Sequence, residues 1–108
     1  MSQKEQRADR SEYRLQVEFF SEDADVDFLR RFLEDDFGGL GHALAGLGDV
    51  LDGEVEEGFT VAVRAMVDSP DEAAAAVQDM LGAPGYRYAG SIKRVSDSTG
   101  QLLYEVAQ

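Results

Sequence analysis

From Tyr13 the chain alternates. Tyr13, Leu15, Val17 and Phe19 fall on one side of an extended backbone, and Arg14, Gln16 and Glu18 on the other, which is the two-residue period of a half-buried strand ending near Phe20. The period then lengthens. Val26, Leu29, Phe32 and Leu33, widened by Phe28, recur at helical spacing behind the candidate caps Ser21, Asp23 and Asp25, with a stop expected at Gly38-Gly39. Leu40, Leu44, Leu47 and Leu51 continue the helical spacing. Gly41, Gly46 and Gly48 each cost a helix about 1 kcal/mol relative to alanine, so only a weak helix or helical loop is expected there.

Phe59, Val61, Val63, Ala65 and Val67 alternate as a second strand and run into Ser69-Pro70-Asp71-Glu72. There serine caps, proline suits the first helical position and glutamate completes a capping box. Ala73, Ala76, Val77, Met80 and Leu81 form the buried stripe of that helix, which Gly82-Ala83-Pro84-Gly85 ends. Tyr86, Tyr88 and Ile92 predict a third strand and Leu102, Tyr104 and Val106 a fourth, joined through Ser96 to Gly100 as a C-terminal β-hairpin.

Residues 1–12 hold only Met1 and Ala8 as apolar positions and are expected to form a flexible tail. Residues 13–108 form a single α+β domain, since two domains would each be too small to bury a core. Strand, Ser/Asp turn and helix occur twice, at 13–37 and 59–81. This suggests a split β-α-β layout, with a short strand near Asp49 to Val55 and both helices on one face of a mainly antiparallel sheet. The other face would carry Arg14, Gln16, Glu18, Arg64, Met66, Ser91, Lys93, Leu103 and Glu105, either solvated or against a second copy.

The stretch Val61 to Val77, with Val63, Met66, Val67, Asp68-Ser69-Pro70-Asp71-Glu72-Ala73 and Val77, resembles the strand-to-helix junction of ferredoxin-like domains, including the dimeric α+β barrel group. That resemblance implies a ferredoxin-like two-layer sandwich. It also implies pairing of sheets across a dimer and a small organic ligand between sheet and helices, in some members with a histidine and an acid.

Charge narrows the choice of partner. The chain has 22 acidic and 10 basic residues, a formal charge of -12, which repels phosphate backbones and anionic membranes. Direct nucleic-acid and membrane binding are therefore not expected. Most of the excess lies between Glu22 and Glu57, where only Arg30 and Arg31 are basic. Lysine is scarce, with Lys4 and Lys93 alone beside eight arginines, a composition suited to a high-salt cytoplasm or a high-GC genome. With no cysteine, disulfides and thiolate sites are excluded. No apolar run reaches the roughly 20 residues of a membrane span and no secretory-type segment opens the chain, so the expected compartment is the cytoplasm.

Motifs with specific chemistry are weak. Asp23, Asp25, Asp27 and Glu34 match acidic positions of a calcium loop, but Phe28 stands where its glycine is required. The glycine-rich run from Gly38 to Gly48 lacks the lysine and preceding strand of a phosphate loop. His42 is the single histidine; beside Asp49 or Asp52 it would make a general base only if the fold brought them together. Ser69 is assigned to capping. No catalytic residue, metal or cofactor is expected.

The leading expectation is a small acidic, non-catalytic protein-interaction module. Its partner-binding acidic face comprises Glu34, Asp35, Asp36, Asp49, Asp52, Glu54, Glu56 and Glu57, offered to a protein with a basic surface. The chain is expected to form a homo-oligomer. A viral or plasmid accessory factor, such as an inhibitor, nucleic-acid mimic or virion component, fits this description. One alternative is a dimeric α+β barrel enzyme or small-molecule binder whose pocket uses His42, Tyr86 and Tyr88. Another is a halophilic structural subunit with evenly scattered acids.

Overall fold

A computed structural model describes residues 10–20 and 24–106. Met1 to Asp9 of the expected tail, and the candidate caps Ser21 and Asp23, lie outside the described residues. Strand β1 (Ser11–Phe19) buries alternate residues, as the period requires. It begins two residues earlier than expected, because Ser11 and Glu12 continue the antiparallel register opposite Val67 and Met66.

Helix α1 (Val26–Glu34) is capped by Asp25, whose carboxylate accepts the Phe28 N–H at 2.8 Å, and buries Leu29 and Phe32. It stops short of the glycine pair. Asp36, Phe37, Gly38 and Gly39 all take positive φ, at 55°, 55°, 70° and 92°, making a left-handed turn at the start of α2 (Asp36–Ala43). Leu40 and Leu44 remain in the core. The helical spacing does not carry on to Leu47 and Leu51, because the chain extends into β2 (Gly48–Glu56). A Cβ on Gly48 would collide with the Met66 carbonyl and with Val67, so this close approach needs glycine. The strand anticipated near Asp49 is β2.

Strand β3 (Thr60–Val67) leads to α3 (Pro70–Leu81). Ser69 Oγ accepts the Glu72 N–H at 3.4 Å, and Ala73, Val77 and Leu81 form the buried stripe. The expected strand through Tyr86 and Tyr88 is corrected: β4 (Ile92–Ser96) begins only at Ile92. Successive turns close before it, with the N–H groups of Tyr86, Ala89 and Ser91 donating to the carbonyls of Ala83, Tyr86 and Tyr88. Strand β5 (Leu102–Glu105) pairs antiparallel with β4.

The five strands form one antiparallel sheet in the order β2-β3-β1-β4-β5. One cluster of buried residues joins its inner face (Leu15, Val17, Val61, Val63, Ile92 and Val95) to Leu29, Phe32, Leu40 and Val77 of the helices. The cavity left beside Leu15, Val17, Phe32, Leu40, Val77, Ile92 and Val95 amounts to only about 10 Å³, at most the space of one water molecule.

Tyr13 is the exception to good matching in this core. It is 1% exposed, and its hydroxyl finds no hydrogen-bond partner among the described residues. Burial, with a smaller contribution from Asp97, pushes the phenol well above its usual range. Replacing a buried, unmatched hydroxyl by an apolar group of the same shape removes a desolvation penalty. Tyr13→Phe is therefore expected to stabilise the fold by about 1 kcal/mol, read as a raised midpoint in urea unfolding. A lowered midpoint would reveal a partner for the hydroxyl.

Candidate functional site

The alternation that buries one side of each strand sends the other side to the open face. There β1 places Glu12, Arg14, Gln16 and Glu18, and β3 places Thr60, Ala62, Arg64 and Met66 in register beside them. Strand β2 adds Asp49, Asp52, Glu54 and Glu56 opposite Met66, Arg64, Ala62 and Thr60. Between these longer side chains the small Ala62 leaves a depression. The resulting groove, about 480 Å³, is lined by Arg14, Gln16, Asp52, Glu54, Glu56 and Arg64, with Asp97, Ser98 and Gly100 of the β4–β5 connection as a wall. A second hollow of about 720 Å³ shares Gln16, Glu54 and Glu56 and adds Glu18, Glu57, Thr60 and Arg94.

Charges in the groove are unevenly matched. Arg64 grips Asp52 with two nitrogens, at 2.6 and 3.0 Å, and stands 3.8 Å from Glu12. Arg14 Nε donates to Glu12 at 2.9 Å. Arg10 bridges Asp68 and Asp49, at 2.9 and 3.1 Å. The Arg64 hydrogen bonds hold the Asp52 carboxyl below the usual carboxylate range and push the guanidinium up. Glu54 and Glu56 differ: among the described residues neither has an ion pair, and Glu56 only accepts a hydrogen bond from Gln16 Nε2 at 3.2 Å. In the wall, partial burial works against the Asp97 charge. Hydrogen bonds from the Thr99 N–H, Thr99 hydroxyl and Gln101 N–H outweigh it and lower the pKa.

The eight acids anticipated as one face fall on two layers. Asp49, Asp52, Glu54 and Glu56 belong to β2, with the exposed Glu57 just beyond it. Glu34, Asp35 and Asp36 sit at the junction of α1 and α2. Asp35 is already engaged, accepting from Arg87 Nη1 at 2.8 Å and from the Tyr88 hydroxyl at 3.2 Å.

His42, Tyr86 and Tyr88 have separate tasks. His42 is exposed on α2. The Tyr86 hydroxyl donates to the Gly38 carbonyl at 2.7 Å, tying the left-handed turn to the segment before β4. Tyr88 is buried edge-on against Phe28 and Phe32. Both tyrosines thus hold the helical layer in place.

Spacing did not mark Arg14, Gln16, Arg64 and Asp97 as members of one site. The available signal was strand alternation, which puts the first three on the open face; the register that pairs Arg64 with Asp52 is tertiary. Among the described residues there is no group of three or more His, Cys, Asp or Glu arranged to hold a metal ion, and no helix long and apolar enough to cross a membrane. Comparison with known proteins finds no matching family, curated protein or solved structure.

Proposed function

We propose that this chain is a small non-catalytic interaction module that receives a basic segment of a protein partner on the open face of its sheet. The observation that carries this reading is a contrast on one face of the sheet: Arg14, Arg64 and Arg10 are matched by Glu12, Asp52, Asp49 and Asp68, while Glu54 and Glu56, which line the groove beside Arg14 and Arg64, have no ion pair among the described residues, and Glu54 acts on Arg64 only at longer range. Lysine or arginine side chains entering it would complete the charge pattern, and the -12 net charge of the chain steers such a partner inward. The scaffold we take to be a ferredoxin-like two-layer sandwich lengthened by a C-terminal hairpin. Support comes from β1 lying between β3 and β4 with β2 and β5 outside them, the order a split β-α-β unit produces. A histidine-based ligand pocket has less support, because His42 is exposed and the inter-layer space is filled.

The test is binding of an oligolysine peptide followed across a salt series. The double variant Glu54→Gln/Glu56→Gln is expected to bind about tenfold more weakly at low salt, with a flatter salt dependence, on the scale of two exposed charge contacts. Asp35→Asn, altering an acid already held by Arg87, should leave affinity within about twofold on the same scale. Equal affinity for the double variant and the parent chain would refute the assignment.

A further inference from the structure

Strand β2 ends the sheet: its inner side pairs with β3, and its outer backbone groups meet no strand among the described residues. A bare edge of this length is a template for another strand, and proteins commonly blunt such edges with charged side chains, proline or bulges. In β2 the acids repel another acidic edge but not a basic strand, and the backbone obstacles cover only part of it. The register shifts between Val50 and Asp52, putting a bulge around Leu51, but from Asp52 to Glu56 the ladder with β3 is regular and contains no proline.

The side chains along that regular stretch have two characters. On the open face stand Asp52, Glu54 and Glu56, of which Asp52 alone is paired to an arginine. On the helix-facing side are Gly53, with Leu33 and Phe37 packed over it, and Val55, which is 47% exposed although it lies opposite the buried Val61. Leu51, at the bulge, is 48% exposed. Charge on one face and uncovered apolar surface on the other is the complement of a strand that alternates basic and apolar residues.

We infer that the β2 edge, over Asp52 to Glu56, accepts an extended basic segment of a protein partner as a sixth strand. Backbone hydrogen bonds supply the ladder. Lysine or arginine at alternate positions meets Glu54 and Glu56, and the intervening apolar side chains cover Val55 beside Phe37 and Leu33. A second copy is the poorer occupant, since β2 against β2 would set Asp49, Asp52, Glu54 and Glu56 against the same acids with no base on either strand. This inference rests on the basic-partner reading above and adds the mode of recognition.

The experiment uses the full chain and short synthetic peptides, terminally blocked, of alternating lysine and valine. A block peptide of equal composition and two N-methylated versions, with methyl groups on odd or on even residues, serve as comparisons. N-methylation removes backbone donors while leaving charge and composition nearly unchanged, and only donors facing β2 matter in a strand addition. The expected result is tenfold or greater loss of affinity for one methylation phase and little for the other. Amide-exchange protection should rise on the outward-facing N–H groups between Asp52 and Glu56, alternate residues of the strand, when the alternating peptide binds, and Val55→Asp should abolish that rise.

If the block peptide binds as well as the alternating one, both methylation phases behave alike and the outward-facing β2 amides stay unprotected, strand addition is overturned while the basic-partner reading stands. If none of the basic peptides binds at low salt, both readings fall together. Protection of the same outward-facing amides in peptide-free protein, growing with concentration alongside the molecular mass, would place a second copy on the edge and overturn the assignment.

Discussion

Alanine at position 38 is expected to lower stability by about 3 kcal/mol, the sum of two separable effects. Gly38 has φ of 70°, and a Cβ there would overlap the Phe32 ring. The left-handed conformation alone costs a non-glycine residue about 1–2 kcal/mol, and forcing a methyl group into packed surroundings about 1–3 more. Two neighbouring substitutions separate the contributions. Gly39 (φ 92°) would meet only Met80 Sδ, at ordinary contact distance, and Gly46 (φ 84°) would meet nothing within 4 Å. Gly39→Ala and Gly46→Ala should therefore show the backbone cost alone, about 1–2 kcal/mol. Urea unfolding of the three variants provides the comparison, with slopes unchanged if only the folded state is affected. Equal losses at all three positions would mean that the Phe32 ring does not lie against Gly38.

That turn also shows where sequence patterning loses its hold. Alternation from Tyr13 to Phe19 and from Val61 to Val67 is clear because each strand has one side in the core and one outside it, whereas Phe59, expected to open the second strand, lies in the turn before it with φ of 61°. The Ser69-Pro70 start of α3 is equally legible, since a cap is a local device. What escaped depends on residues distant along the chain. Leu47 and Leu51 keep helical spacing, yet Gly48 is drawn against Met66 and Val67 and the chain becomes extended. Tyr86 and Tyr88 have the spacing of a strand, but Gly38 and Asp35 claim their hydroxyls.

The candidate site was legible in the same partial way. Acid density between Glu22 and Glu57 is visible in the sequence, but which acids are left without an ion pair is a matter of register. Asp52 meets Arg64 across the β2–β3 ladder and Asp49 meets Arg10, whereas Glu54 faces Ala62 and Glu56 faces Thr60. A count of charges treats all four alike. The sheet distinguishes them, and it does so with residues whose inner neighbours, Val61 and Val63, are wholly committed to the core. The same alternation thus builds the scaffold and selects the acids that remain available.

Removing the Phe32 ring should be the most damaging single change, with Phe32→Ala costing about 3–5 kcal/mol. The ring is 1% exposed and stands edge-on to Phe19 and to Tyr88, each at 5.1 Å between centroids. The surrounding core leaves only about 10 Å³ empty, so truncation opens space between Phe19 of β1 and Tyr88 of the turn before β4, both themselves buried, and collapse is restricted. The same truncation makes room beside Gly38. In the Phe32→Ala background, Gly38→Ala should cost only its backbone share, giving a coupling of about 1–2 kcal/mol in a double-mutant cycle. Phe32 belongs to the helical layer, while Glu54 and Glu56 lie on the far side of the sheet. Folded Phe32→Ala protein should therefore keep its affinity for oligolysine within about twofold, the scale on which exposed charge contacts act. A large affinity loss in protein shown to be folded would mean that the open face depends on the helical packing, and the division of labour between the two layers would have to be abandoned.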